Sequence, residues 1–126
     1  MTTPGQPKQN SSRGSKLPSS ELVPLAIQAL EDSRRWFPKT SESISHTVLA
    51  LAGEVGEVAN IVKKLERGSI YMGDAKVRKD LHMEVADVFT YLVVLAGQLG
   101  IDLVRLYELK RMENERRFGD KDERLH

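Results

Sequence analysis

The sequence predicts an all-α protein, a four-helix bundle that further copies of the same chain complete. Apolar residues recur three and four positions apart over long segments, and no segment alternates with the period of two that marks a strand. The predicted helices are joined by short connections, which favours a bundle. The chain has 126 residues, enough for one domain with a modest core. The apolar stripes of the second and third helices are wide for this length, so we expect a homodimer or homotetramer to bury the surplus.

Three parts of the chain differ in composition. Residues 1–19 hold three prolines and three basic residues but no acid, and we expect this tail to be disordered. Residues 20–118 form the predicted α-helical domain, and residues 119–126 form a charged C-terminal tail. The first helix starts near Ser19 or Ser20, tolerates Pro24 in its first turn, and ends before Pro38.

Capping residues set the bounds of the other three helices. The second helix should begin near Ser41 or Ser43 and end at about Arg67, before Gly68. The third and fourth helices follow the candidate caps Asp74 and Asp102 and end at Gly100 and Phe118. The predicted core stripe comprises Leu51, Val55, Val58, Val62 and Leu65 in the second helix, and Leu81, Val85, Val88, Leu92, Leu95 and Leu99 in the third.

Bulk composition excludes several classes of function. The formal net charge is only +1, so nothing draws the whole chain to nucleic acid or to an anionic membrane. The absence of cysteine excludes disulfides and thiolate metal sites. The longest apolar run, Leu92–Ala96, is too short to cross a bilayer, and no signal peptide is evident, so we expect a cytoplasmic protein without membrane contact. The basic tail offers a weak alternative, nucleic-acid binding that salt would suppress.

A doubled acidic pattern is the strongest candidate for chemistry. Glu54 and Glu57 stand three residues apart in the second helix, and Glu84 and Asp87 repeat that spacing in the third. Each pair lies on one side of its helix, about 100° from the core stripe and therefore at the edge of the predicted interface. If the two helices pack antiparallel, four carboxylates converge, repel one another and need a cation. Oxygen ligands without cysteine or histidine favour Mg²⁺, with Mn²⁺ as a substitute.

The acids have two other interpretations. Acid pairs at this spacing are common on solvated helix faces, but the neighbouring positions Ala50, Ile61 and Val94 are apolar. A di-iron bundle needs Glu-x-x-His on two helices, and none of the four predicted helices contains that motif.

Around these acids the sequence resembles the MazG-type all-α nucleoside triphosphate pyrophosphohydrolases, whose relatives include dimeric dUTPases and dCTP pyrophosphatases. The resemblance covers residues 34–118, and it includes the segments LALAGEVGEVANIVKK and EVADVFTYLVVLA as well as the E-x-x-E and E-x-x-D motifs. In the fourth helix, Lys110, Asn114 and Arg117 resemble the family's triphosphate contacts. Many members have another glutamate immediately before the first motif, where this chain has Gly53.

The resemblance implies an enzyme with the MazG fold that cleaves nucleoside triphosphates, with deoxynucleotides expected, between the α and β phosphates. The products are a nucleoside monophosphate and pyrophosphate, which suits house-cleaning of a nucleotide pool. Glu54 and Glu57 are then the catalytic acids, with Glu54 the expected general base, and all four acids hold Mg²⁺. Lys64 is a further candidate for the phosphates, although capping of a helix C-terminus explains it almost as well.

The base pocket is the least determined part of the predicted site. Trp36 is a candidate for base stacking or, alternatively, for anchoring the core, and it is the only tryptophan in the chain. His46 is placed to reach a base or sugar, or else to pack on the surface, and Tyr91 continues the acidic side of the third helix. A catalytically silent bundle that serves as an interaction or regulatory subunit remains the alternative function, and Gly53 is its sequence support.

Overall fold

Four helices make up the computed structural model, which describes residues 19–119. They are α1 (Ser19–Trp36), α2 (Ile44–Glu66), α3 (Ala75–Leu99) and α4 (Leu103–Phe118), and the described residues contain no strand. The predicted all-α class is therefore confirmed. The two predicted tails lie outside the described residues, except that Ser19 already belongs to α1 and Gly119 directly follows α4.

Side-chain caps begin three of the helices at the predicted residues. The Ser43 hydroxyl accepts a hydrogen bond from the His46 backbone N–H at 3.2 Å, at the start of α2. The Asp74 carboxylate accepts from the Lys76 N–H at 2.9 Å, and the Asp102 carboxylate accepts from the Arg105 N–H at 3.2 Å. Each cap satisfies a donor that the first helical turn leaves unpaired, which fixes where the helix starts.

Two glycines end α2 and α3 as predicted. Gly100 has a φ of 63° and Gly68 a φ of 79°, both in the left-handed region that residues with a Cβ rarely adopt. The prediction for Pro24 was wrong: α1 begins at Ser19, so Pro24 lies inside the helix, past its first turn. Without an N–H it removes one backbone hydrogen bond there.

Helix α3 is central to the packing, because α1 and α2 both pack against it while α4 packs against α1. The buried core joins Ala26 of α1 to Val93 and Ala96 of α3, with partly buried residues around them, namely Leu22, Ala29, Ile101 and Leu103. A Cβ on Gly97 would lie 3.0 Å from the Ala26 carbonyl oxygen, so glycine permits this close approach of α1 and α3. The Gln98 side chain donates to the Ser41 carbonyl at 2.8 Å and ties α3 to the segment before α2.

The observed α2–α3 interface differs from the predicted core stripe. Its half-buried positions alternate between the predicted stripe and the acidic side, namely Leu51, Glu54, Val58, Ile61 and Leu65 in α2, and Leu81, Glu84, Val88, Tyr91 and Leu95 in α3. The remaining stripe residues are exposed, namely Val55, Val62, Val85, Leu92 and Leu99. The apolar face of each helix is wider than one helix–helix contact can cover. The two helices contact each other through the part of that face that lies nearer the acids. Glu54 and Glu84 therefore lie within the interface face rather than at its edge.

Among the described residues, no single helix is long and apolar enough to span a membrane. Helices α3 and α4 reach that length and hydropathy only as a pair, and the chain bends by 98° between them.

Candidate functional site

Three of the four predicted acids meet between α2 and α3. Glu54, Glu84 and Asp87 each offer a carboxylate oxygen, and these three oxygens all lie within 4.8 Å of one another. Glu54 and Glu84 are half-buried, whereas Asp87 is exposed. We refer to these three residues as the acid cluster.

Helix register explains why these acids meet. Glu54 lies twelve residues before the last residue of α2, and Asp87 lies twelve residues after the first residue of α3. The linker between the helices is short, so the chain reverses and the two positions reach the same level, about 18 Å from the turn. Glu84 lies one turn before Asp87 on the same side of α3, which places it beside Glu54.

Glu57 is outside the acid cluster. It is exposed on α2, and its carboxylate does not lie within the 4.8 Å group. Its negative charge still acts on Glu54, where it contributes to a raised pKa. The structure therefore brings together three of the four predicted ligands and leaves the fourth beside them.

The crowding of negative charge raises the pKa of Glu54 above its ordinary value of 4.5. The largest cause is a hydrogen bond between the carboxyl groups of Glu54 and Glu84, which requires a proton on one of them. Partial burial is the next cause, and the charges of Asp87, Glu84 and Glu57 follow. In the absence of a cation, Glu54 thus holds its proton more tightly than a solvated glutamate does.

The donor set suits a hard divalent cation. All three groups are carboxylates, and neither cysteine nor histidine belongs to the cluster. Oxygen donors of this kind fit Mg²⁺ or Mn²⁺ better than Zn²⁺. A cation would also relieve the repulsion that raises the pKa of Glu54.

A cavity of about 540 Å³ opens beside the acid cluster, and we call it the acidic cavity. Glu54 and Asp87 form part of its wall, together with Trp36 at the end of α1, the next residue Phe37, and Tyr91 from α3. Trp36 is 60% exposed, so in this chain it does not serve as a core anchor. The Arg35 guanidinium lies 5.5 Å from the centre of the Trp36 ring.

The match to a family model decides which proteins this chain is related to. Residues 42–110 match the model of the MazG nucleotide pyrophosphohydrolase domain, more than half of the chain. The chain belongs to this family. The matched range contains the whole acid cluster, Glu57 and Lys110, whereas Trp36, Asn114 and Arg117 lie outside it.

A curated phage protein is also similar to this MazG domain. Gene 37 protein of Mycobacterium phage L5 is 40% identical over 60 residues, which are 48% of this chain and 53% of the phage protein. The chain thus spans about half the length of that curated relative. No solved structure matches the chain significantly.

The predicted triphosphate contacts lie away from the acid cluster of the MazG domain. Lys110 and Asn114 line a separate cavity of about 450 Å³ along α4, with Tyr107 and Arg111. The Lys110 ammonium lies 3.6 Å from the Glu113 carboxylate, and the Arg117 guanidinium stacks 4.9 Å from the centre of the Phe118 ring.

The other two predicted contacts also lie apart from the acids. Lys64 is ten residues beyond Glu54 on the same helix, about 15 Å along its axis. His46 is exposed at the start of α2, outside the acidic cavity, and its backbone N–H serves the Ser43 cap. Tyr91 alone of the base-pocket candidates is half-buried within the cavity wall.

A polar side of α1 was not predicted from the sequence. Gln28, Asp32 and Ser33 line the acidic cavity one and two turns before Trp36. A signal for them exists in the sequence: Gln28, Asp32 and Trp36 are spaced by four and therefore share one helix face.

Proposed function

We propose that this MazG domain hydrolyses nucleoside triphosphates, with deoxynucleotides as the expected class, between the α and β phosphates. The products are a nucleoside monophosphate and pyrophosphate, and the role is house-cleaning of the cytoplasmic nucleotide pool. The observation that carries the proposal is the acid cluster at a cavity lined by Trp36 and Tyr91, within a chain of this family. A metal ion neutralises the charge of a triphosphate, and an aromatic side chain can stack on a nucleobase. The acid cluster and the aromatic residues of the cavity offer both.

In this proposal Glu54, Glu84 and Asp87 hold Mg²⁺, for which Mn²⁺ can substitute. When bound, the ion neutralises triphosphate charge and supplies a water of lowered pKa. Glu54 is the proposed general base that accepts the proton of the attacking water, since its carboxylate stands in the wall of the acidic cavity. Glu57 completes the metal site from beside the cluster. Trp36 and Tyr91 hold the nucleobase, and His46 contacts the base or the sugar from outside the cavity.

We further propose that a second copy of the chain completes the site. Lys110, Asn114 and Arg117, with Lys64, are the proposed triphosphate contacts, and the three from α4 lie apart from the acids of their own chain. Two rows of exposed apolar residues at seven-residue spacing support the association, namely Val48, Val55 and Val62 on α2 and Val85, Leu92 and Leu99 on α3. Such spacing keeps each row on one side of its helix, as in the seam of a coiled coil.

Sedimentation of the Leu92→Glu variant tests the association. A charge within the α3 row should convert a homodimer or homotetramer into monomers while the helical circular dichroism is retained. Tyr71→Glu, on the exposed linker side chain, is the matched control and should keep the wild-type mass. A monomeric wild-type protein would contradict the association.

Pyrophosphate release from a panel of canonical and oxidised NTPs and dNTPs tests the proposed reaction. The wild-type protein should release pyrophosphate with Mg²⁺ and lose that activity in EDTA. Release from no member of the panel, together with no gain of thermal stability from millimolar Mg²⁺, would instead support the silent bundle. The position that lacks the extra glutamate is open: a Cβ on Gly53 would meet no atom within 4 Å, so packing does not exclude an acid there.

A further inference from the structure

The polar residues of α1 form a wall of the acidic cavity that the proposed reaction does not use. Gln28, Asp32 and Ser33 line this wall, and Trp36 at the end of α1 and the next residue Phe37 continue it. The wall and the acid cluster share one cavity, so a nucleotide with its phosphates at Glu54 and Asp87 would have its base near α1.

Asp32 is held in a fixed orientation within this wall. Its Oδ1 atom accepts a hydrogen bond from Gln28 Nε2 at 3.1 Å and another from Arg35 Nη2 at 2.8 Å. Both donors use the same oxygen, which leaves Oδ2 able to accept a hydrogen bond from a ligand. The Asp32 side chain is 23% exposed, so the carboxylate is partly desolvated yet accessible from the cavity.

Arg35 links this carboxylate to the aromatic surface. Its guanidinium pairs with Asp32 and also lies 5.5 Å from the centre of the Trp36 ring. Asp32 and Trp36 are four residues apart, which is about 6 Å along the helix axis. A base stacked on Trp36 therefore has its edge within reach of Asp32.

We propose that Asp32 determines base specificity by accepting a hydrogen bond from an exocyclic amino group of the nucleotide base. An ionised carboxylate only accepts hydrogen bonds, so a keto oxygen at the same place would face another acceptor. The site then favours cytosine over uracil and adenine over hypoxanthine. In each pair the first base carries an exocyclic amino group where the second carries a keto oxygen. This inference rests on the proposed function, because it takes the acidic cavity as the nucleotide site.

Binding of non-hydrolysable nucleotides tests the inference without requiring turnover. The probes are the α,β-methylene analogues of dCTP and dUTP with Mg²⁺, followed through the fluorescence of Trp36, the only tryptophan. The wild-type protein should bind the dCTP analogue about 10- to 100-fold more tightly, which is the range for one hydrogen bond to a charged group. The analogues of dATP and dITP should show the same direction.

Two variants assign the preference to one side chain. Asp32→Asn can turn an amide N–H toward a keto oxygen and should reduce the dCTP-over-dUTP ratio at least tenfold. Glu31→Gln is the matched control, since it removes an exposed carboxylate from the adjacent position of α1, outside the cavity, and should keep the wild-type ratio. Helical circular dichroism of both variants monitors the fold.

Failure of the inference is separable from failure of the proposed function. Equal binding of the paired analogues, no binding of either, or an unchanged ratio in Asp32→Asn would overturn base reading by Asp32. Pyrophosphate release without base preference would overturn it while the hydrolytic function stands. A base preference in binding without any pyrophosphate release would support Asp32 and contradict the hydrolytic function.

Discussion

Removing one charge from the acid cluster should stabilise the metal-free protein and remove most of its response to Mg²⁺. Asp87→Asn keeps the shape of the side chain while it deletes a charge that faces Glu54 and Glu84. Two unit charges within 4.8 Å repel by about 1 kcal/mol in a water-like dielectric and by about 3 kcal/mol at an effective constant near 20. Asp87 is exposed, so the lower figure applies, and the relief should be about 1 kcal/mol per partner.

Thermal unfolding at pH 8 in EDTA measures this relief. For a domain of this size, 1 kcal/mol shifts Tm by about 4–8 °C, so Asp87→Asn should raise Tm by at least several degrees. Titration with Mg²⁺ should then raise the wild-type Tm above its value in EDTA. Free Mg²⁺ at ten times its dissociation constant stabilises the folded state by about 1.4 kcal/mol, and Asp87→Asn should lose most of this gain.

Asp80→Asn provides the matched control for this prediction. Asp80 is also an exposed acid on α3, but it lies outside the cluster and pairs with Lys76 at 3.7 Å. Its removal should leave the EDTA Tm unchanged or slightly lower, and the response to Mg²⁺ should persist. A fall in Tm for Asp87→Asn in EDTA, or a full Mg²⁺ response in that variant, would mean that Asp87 neither repels the other two acids nor helps to bind the ion.

Three further predictions follow from other features of the structure. The folded state raises the pKa of Glu54 above 4.5, so ionisation of Glu54 destabilises the folded protein. This loss of stability develops as pH rises from about 4.5, and it is complete once the pH exceeds the folded-state pKa. In EDTA, urea unfolding should therefore show wild-type stability falling relative to Glu54→Gln as pH rises, and parallel profiles would argue against it. Gly53→Ala should raise the free energy of unfolding by about 1 kcal/mol, because its Cβ would meet no atom within 4 Å. Gly97→Ala should lower it by roughly 1–3 kcal/mol, because its Cβ would press on the Ala26 carbonyl oxygen. Equal urea midpoints for the two variants would be inconsistent with this packing. Lys110→Ala should lower pyrophosphate release at least tenfold and keep the Mg²⁺-induced rise in Tm, and loss of that rise would place Lys110 in the metal site.

Helix bounds were predictable because they depend on local chemistry. Ser43, Asp74 and Asp102 cap helices by bonds to residues two or three positions away, and Gly68 and Gly100 end them by their backbone conformation. These effects act within one turn, so the sequence carries them directly. Pro24 shows the limit, because α1 starts at Ser19 and its first turn does not extend to Pro24 as predicted.

The orientation of each helix about its axis was harder to predict. The apolar face of α2 is wide enough for two alternative contacts, and periodicity did not distinguish Val55, which is exposed, from Glu54, which faces α3. That choice depends on the partner helix rather than on α2 itself. The equal repeat of the acid motifs still predicted that Glu54 would meet Glu84 and Asp87, because antiparallel register is a property of the linker and the spacing.

The orientation of α4 relative to the other helices could not be predicted from local sequence patterns. The chain turns by 98° between α3 and α4, and the three residues that join them gave no sign of this angle. Lys110 and Asn114 consequently line a cavity of their own instead of meeting the acids. Asp32 and Gln28 were overlooked because a polar pair on an amphipathic helix is ordinary until the neighbouring helices show which side is enclosed.

Product analysis by ³¹P NMR shows most directly whether the acid cluster is a metal-dependent centre for pyrophosphate release. With Mg²⁺ and dCTP, the wild-type protein should yield the nucleoside monophosphate and pyrophosphate, whereas Glu84→Gln should yield neither while it keeps its helical circular dichroism. Formation of a nucleoside diphosphate with inorganic phosphate, or wild-type turnover by Glu84→Gln, would contradict pyrophosphate release at the acid cluster.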